Sequence, residues 1–287
     1  MTTGPGDSAE WFRLRNEADV FSPSLLIYPD RVEENIRRMV ALVGDPRRLC
    51  PHMKTHKLAE VIRMQLQHGI TKFKCATIAE AEMTASAGAA DVLLAYPPVG
   101  PNVKRFLELQ RCFPQTHFAA VVDDADVAKA IAVGAHAAGA TVELLLDLDC
   151  GMHRTGIEPG PRARELYRFL ATTPGLKAGG LHCYDGHLHD KELADRTRRV
   201  EEAFVPVEAF RAELQRAGLP VPRFIASGTP TFPVHARRGT EECSPGTCVF
   251  WDAGYAAKCP DLDFLPAALV FTRVISKPAG NRLTLDL

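Results

Sequence analysis

The chain has 287 residues, enough to bury the core of one large α/β barrel domain or of two smaller domains. Hydrophobic residues make up 46% and charged residues 24%, and the formal net charge is −1 with no long basic run. This is a globular enzyme's composition; it excludes nucleic acid as a partner and allows only a local cationic pocket around one phosphate. The N-terminal MTTGPGDSAEWFRLRNEADV has neither the basic nor the apolar region of a secretory signal. No run approaches ~18 uninterrupted apolar residues, so no membrane span is expected. Eight cysteines occur without a Cys-x-x-Cys pair, several in apolar runs such as KFKCAT and GGLHCY. They read as buried free thiols in a reducing cytoplasm.

In chain order, strands are predicted near residues 25–28, 49–54, 72–76, 92–95, 118–122, 142–148, 179–184 and 223–226. Amphipathic helical segments lie between them, including RVEENIRRMVALVG, TIAEAEMTASAG and LADRTRRVEEAFVPVEAFRAELQRAG. In the first of these Val32, Ile36, Met39 and Val40 recur at helical spacing. The strands are near-continuous apolar runs (VELLLDLD), as in a parallel sheet covered by helices. Strand–helix units of about 25–30 residues predict a (β/α)8 TIM-like barrel. Its first seven strands begin at residue 49, and a short eighth falls at 240–244. A doubly wound open sheet is the alternative, disfavoured because no GxGxxG follows the first strand. Near the end LVFTRVISK, PAGN and RLTLDL predict two strands joined by a tight turn, the start of a second, β-rich domain. The expected division is an N-terminal segment 1–30 contributing to the β-domain, a barrel 31–247, and an incomplete β-domain 248–287. Stopping at Leu287 leaves a sheet edge unfinished, which predicts further C-terminal sequence.

The densest polar cluster is Pro51-His52-Met53-Lys54-Thr55-His56-Lys57, at the end of a predicted barrel strand, where barrel active sites form. Period-two alternation sets His52, Lys54 and His56 on one side of an extended chain. A lysine there can form a Schiff base with an aldehyde once its amine is neutral. That requires burial or a nearby positive charge to lower its pKa from about 10.4. The alternative is a solvated loop capping the next helix, with Lys57 the more exposed lysine. A second cluster, Asp147 to Gly156, offers glycines for close backbone approach and the planar donor Arg154, which otherwise pairs with Asp147 or Asp149. A third holds His182, Tyr184, Asp185, His187, His189 and Asp190. It reads as a metal site or, since no closed zinc spacing is present, as groups lining a pocket. The segments Ser227-Gly228-Thr229-Pro230-Thr231 and Ser244-Pro245-Gly246-Thr247 follow strands seven and eight. They read either as simple turns or, taken together with a strand-end lysine, as clustered N–H groups of the kind that bind phosphate at barrel mouths.

In sequence, CPHMKTHK, KFKCATIAEAEMTASAGAADVLLAYPPVG, LDLDCGMHRTGI, HCYDGHLHD, SGTPTFPVHA and ECSPGTCVFWDAGYA resemble the D-threonine aldolase / D-serine dehydratase family. These are pyridoxal 5'-phosphate (PLP) enzymes of the alanine-racemase-like fold type III, and the resemblance runs from about residue 20 to Leu287. It implies that Lys54 carries PLP, that Arg154 faces the pyridine nitrogen and that Tyr184 lies near the cofactor. Ser227, Gly228 and Thr229, with Gly246 and Thr247, would hold the phosphate. His52, His187 and His189 are the candidates for proton handling. The resemblance further implies a β-domain built from both chain ends, a cytoplasmic homodimer, and a divalent metal (Mn, Mg or Zn). That metal sits on a His-x-Asp or His-x-Cys pair beyond residue 287, for no histidine follows His235. The expected activity is retro-aldol cleavage of a D-3-hydroxy amino acid, such as D-threonine to glycine and acetaldehyde. The alternatives are D-serine dehydratase-type β-elimination to a keto acid and ammonia, or PLP binding without turnover.

Overall fold

A computed structural model describes residues 10–287; the reading of the first nine as signal-free lies outside the described residues. Strand β1 (Ser24–Ile27) leads into α1 (Pro29–Val43), which begins on a proline whose missing N–H costs nothing in a first turn. Val32, Ile36, Met39 and Val43 are its buried stripe, with Val40 partly buried beside them. After α2 (Ala59–Gln67) the chain alternates through β2 (Lys72–Cys75), α3 (Ile78–Ser86), β3 (Asp91–Leu94), α4 (Pro101–Cys112), β4 (His117–Val122) and α5 (Ala125–Ala137). It continues through β5 (Val142–Leu148), α6 (Pro161–Thr172), β6 (Leu176–Cys183), α7 (Leu193–Arg216), β7 (Arg223–Ala226), α8 (Phe232–Arg238) and β8 (Glu242–Cys243).

Strands β2 to β8 form one parallel sheet in sequential order. The extended residues 49–52 join its two edges: Leu49 bridges Cys243 of β8, and His52 bridges Lys74 of β2. Cys50 N donates to Cys243 O at 2.8 Å, and Lys74 N donates to Pro51 O at 2.9 Å. This eighth stave closes the ring, which rules out the open-sheet alternative. The predicted strand 49–54 is shorter than expected because the chain curls into a 3-10 turn at Met53–Thr55, where His52 Nδ1 accepts the Lys54 N–H at 3.3 Å. The alternation that was to align His52, Lys54 and His56 therefore fails. His52 and His56 are buried, whereas Lys54 opens outward.

Inside the barrel the side chains stack in layers, as strand alternation dictates. At the N-terminal mouth a chain of ion pairs runs from Lys72 through Glu242, Arg223, Asp91 and His117 to Glu143. Above it Cys50, Leu93, Ala119, Val121, Leu145 and Ile225 make a separate apolar plug. Lys74, Asp147 and His182 lie above that plug, buried. Gly180, at φ +122°, permits the register shift that turns His182 opposite Asp147; a methyl on it would stand 2.0 Å from Arg223 O.

Past α9 (Ala253–Lys258), strand β9 (Ala268–Phe271) pairs antiparallel with β1, so the two ends of the chain share a ladder. The predicted LVFTRVISK strand is two strands. Asp286 accepts hydrogen bonds from Thr272 Oγ1 and Arg273 N at the break, and β10 (Val274–Ala279) then forms a hairpin with β11 (Arg282–Leu285). All eight cysteines are free, with only Cys112 exposed. Among the described residues no helix is long and apolar enough to cross a membrane.

Candidate active site

Four loops at the C-terminal mouth of the barrel converge on the ring of Tyr184. Arg154 Cζ lies 5.0 Å from its centroid, Lys74 Nζ 5.7 Å and Lys54 Nζ 5.9 Å. The loop that carries Arg154 is tied at both ends. Ile157 N donates to Asp147 O at 2.9 Å, Asp149 N donates to Ile157 O at 3.1 Å, and Asp149 Oδ1 accepts from the N–H groups of Gly151 and His153. With Asp149 spent on its own loop and Asp147 on His182 and Thr155, Arg154 pairs with neither aspartate. Its guanidinium, without hydrogen bond or ion pair among the described residues, stays available over the ring. Tyr184 is seated by the absence of a side chain at residue 186: a methyl on Gly186 would stand 2.1 Å from the phenol oxygen.

Lys54 as a residue is exposed, yet the surrounding wall strips enough water from its amine to lower its pKa, and the Arg154 charge lowers it further. These are the two causes a Schiff-base lysine requires. Lys57, the competing lysine, points to an ion pair with Glu80 at 3.7 Å. The His52 ring is buried behind Lys54, and burial, with Lys74 and Lys54 nearby, pushes its pKa down to about 2. It is neutral; its Nδ1 lone pair is committed to the Lys54 N–H, which leaves an Nε2–H donor. Burial likewise pushes His56 down to about 4, and its ring packs edge-on to Phe250 rather than in the site.

The small-residue loops lie beside this amine. A methyl on Gly246 would meet His52 O at 3.1 Å and Thr55 Oγ1 at 3.2 Å, and one on Gly228 would meet Tyr184 Cε2 at 3.2 Å. Thr229 Oγ1 accepts from both Gly246 N and Thr247 N, and Ser227 Oγ accepts from Ser244 N. Asp185 holds the Gly228 loop in place: its Oδ1 accepts from Gly228 N at 3.0 Å and Thr231 Oγ1 at 2.7 Å. Its Oδ2 faces His235 Nε2 at 2.8 Å, and both residues are fully buried. Against the desolvation that would lower it, the Asp185 and Glu241 carboxylates push His235 up to about 9.

Residues 27–253 match the family described as alanine racemase, N-terminal domain. The chain belongs to that family. It is 28% identical to the D-threonine aldolase of Arthrobacter sp over 281 residues, which are 94% of this chain and 72% of that one. It is 29% identical to the D-threo-3-hydroxyaspartate dehydratase of Delftia sp. (strain HT23) over 240 residues, 80% of this chain and 61% of the dehydratase. The chain thus spans about two thirds of these relatives' length. The structure of D-threonine aldolase from Filomicrobium marinum matches with a TM-score of 0.87 at 29% identity, over 94% of this chain and 74% of that one. The resemblance read from the motifs is borne out, and the relatives are fold type III PLP lyases.

The cofactor of this alanine racemase-like family fits the residues present. It needs an amine, a face for its ring and an anion cradle. Lys54 supplies the first, and Tyr184 lies beside it. The cradle is lined by Gly228 and Gly246, where any Cβ would crowd its neighbours, and by Ser244, whose buried Oγ has no hydrogen-bond partner among the described residues. The expected cofactor residues Lys54, Arg154, Tyr184, Ser227, Gly228, Thr229, Gly246 and Thr247 thus form one connected set. His187 and His189 are less central. The half-buried His187 packs against Gly151, its Nδ1 unpartnered among the described residues, while the exposed His189 lines an outer cavity of about 250 Å³ with Gly186, Pro230 and Tyr255. Among the described residues no group of three or more His, Cys, Asp or Glu is arranged to hold a metal, so the metal reading of the 182–190 cluster finds no support. Sequence reasoning missed Lys74 and the roles of Asp147, Asp185 and His235. For Lys74 a signal existed: in KFKC, alternation sends Phe73 and Cys75 to the helices and Lys74 to the interior.

Proposed function

We propose that this protein is a PLP-dependent lyase cleaving D-3-hydroxy amino acids to glycine and an aldehyde, with the cofactor on Lys54. The carrying observation is the juxtaposition of an amine of lowered pKa, the Tyr184 ring and a glycine-lined cradle at the mouth of a barrel. PLP supplies an electron sink for the pair of electrons released when the Cα–Cβ bond breaks. The protein's own groups do the rest. Lys54, its pKa lowered by its wall and by Arg154, is the nucleophile that holds and releases the cofactor. Arg154, free of carboxylate partners among the described residues, is the donor to the cofactor ring. Tyr184 packs the ring and excludes water on one side. Ser227, Gly228, Thr229, Gly246 and Thr247 would line the phosphate site, with the Ser244 hydroxyl, unpartnered among the described residues, as its open donor and Asp185 fixing the loop that carries Gly228. His52, a neutral Nε2–H donor, holds a proton beside Lys54. The divalent metal and the homodimer implied by the motifs are assigned no residue.

A second reading has its own support: the dehydratase relative, at 29% identity, is as near in sequence as the aldolase. It uses the same lysine but loses the α-proton and the hydroxyl group. Borohydride reduction followed by peptide mapping tests the shared part. Lys54 should carry the label, the visible absorbance of the bound cofactor should be bleached, and Lys54→Ala should abolish both. A retained band in Lys54→Ala refutes the assignment. Product assay with D-threonine and D-serine then separates glycine plus aldehyde from keto acid plus ammonia.

A further inference from the structure

Lys74 has no part in the reading above, although its amine lies as near Tyr184 as that of Lys54 does. It is 2% exposed and points from the inner face of β2 toward β5 and β6. His182 Nδ1 stands 2.7 Å from Asp147 Oδ1; a carboxylate only accepts, so Nδ1 carries the ring proton and donates it. That fixes the tautomer and leaves the Nε2 lone pair facing Lys74 Nζ at 3.3 Å, where the amine donates. Thr155 Oγ1 donates to the other carboxylate oxygen at 3.0 Å. The result is a buried relay, Asp147–His182–Lys74, in which the amine spends one N–H and keeps two.

We propose that Lys74 is a second working amine of this site: held as an ammonium by the His182–Asp147 relay, it delivers the proton that the substrate α-carbon gains on cleavage. The proposal rests on the lyase reading. In the cleavage the β-hydroxyl loses its proton and becomes the aldehyde oxygen, the Cα–Cβ electron pair stays with Cα, and Cα takes one proton to become glycine. Lys74 passes from ammonium to amine and is recharged through solvent by the proton that left the hydroxyl, so nothing is consumed. The groups facing Lys74 are Cys50, His52, Lys54, Asp147, His182 and Asp185. Burial lowers its pKa and Lys54 lowers it further, while Cys50, Asp147 and Asp185 raise it, leaving it at about 8. The Cys50 thiol is itself pushed up to about 12 by burial and stays neutral, so the working anions are the two aspartates. An amine so tuned is charged at neutral pH yet gives up its proton far more readily than an ordinary lysine.

The test uses the whole chain in three measurements. In lysine-13Cε NMR of the cofactor-free protein, the resonance missing from Lys74→Met belongs to Lys74; it should titrate near pH 8 and fall by about one pH unit in Asp147→Asn, which removes the anion of the relay. Borohydride should label Lys54 in the wild type and in Lys74→Met alike. In the loaded enzyme kcat should fall as pH rises through 8, and Lys74→Met should lose at least about 100-fold at pH 7 together with that limb. A Lys74 resonance titrating above pH 10, or an unchanged limb in Lys74→Met with Lys54 labelled, overturns the proposal alone. An unlabelled Lys54 in the wild type overturns the cofactor reading and this one with it. Should Lys74→Met fail to fold, Lys74→Arg, which keeps the charge but cannot give up its proton, serves for both the assignment and the limb.

Discussion

Asp185→Asn tests how the cofactor cradle is held. Asparagine keeps the shape and one acceptor, so Gly228 N and Thr231 Oγ1 retain their partner. Its NH2, however, replaces the oxygen that faces His235 Nε2 at 2.8 Å. Two donors then meet, and relief comes only if His235 loses its proton from Nε2 and turns an Nδ1–H toward Glu241, 3.4 Å away without hydrogen-bond geometry. In the native protein the carboxylates move His235 from 6.5 to about 9, which at ~1.4 kcal/mol per pH unit amounts to about 3 kcal/mol of stability. That matches the lower end of the ~3–5 kcal/mol for breaking a buried pair. Because the folded-state pKa is raised, this contribution is fully present below pH 6.5 and is lost as pH rises through about 9. Urea unfolding of the cofactor-free protein at pH 6 and 9.5 reads the effect. Asp185 is the first of the two carboxylates that raise His235, so Asp185→Asn should lose most of this, about 2–3 kcal/mol, at the lower pH and about 1 kcal/mol at the higher, where the residual loss is one mismatched hydrogen bond. An equal loss at both pH values refutes the ionic account of the pair.

Gly186→Ala drives a methyl into the Tyr184 phenol and should cost about 1–3 kcal/mol by overpacking; in the Tyr184→Ala background, which empties that space, the same change should cost almost nothing by urea unfolding. Gly246→Ala crowds His52 O and Thr55 Oγ1. It should weaken PLP binding in a fluorescence titration while leaving unfolding within about 1 kcal/mol of wild type; unchanged affinity would remove Gly246 from the cradle. Arg223→Met strips the cation between Asp91 and Glu242 at the far mouth of the barrel. It should destabilise by about 3–5 kcal/mol with no change in the visible spectrum of the surviving folded protein.

The sequence alone carried the barrel and its succession of strands, and it put forward the lysine and the small-residue loops as candidates. The reason is local: apolar runs of strand length, helices with one apolar face, and glycine with small hydroxyl residues at strand ends each declare themselves within about ten residues. The hairpin at 274–285 was legible in the same way, from PAGN between two alternating runs. What failed locally failed at His52, whose ring accepts the Lys54 N–H and curls a strand that alternation alone would have continued.

Only the tertiary structure decided which charges meet. Residues 49–52 complete the ring through the bridge from Leu49 to Cys243, nearly 200 positions away, a pairing that no window of neighbours contains. Lys74, Asp147 and His182 come from three strands, and Asp185 reaches His235 across 50 residues. Closing a barrel brings the inward residues of every strand into one dry space, where an amine, an imidazole and a carboxylate must satisfy one another because water does not. Sequence spacing names the candidates for such a relay; the closed ring of strands selects among them.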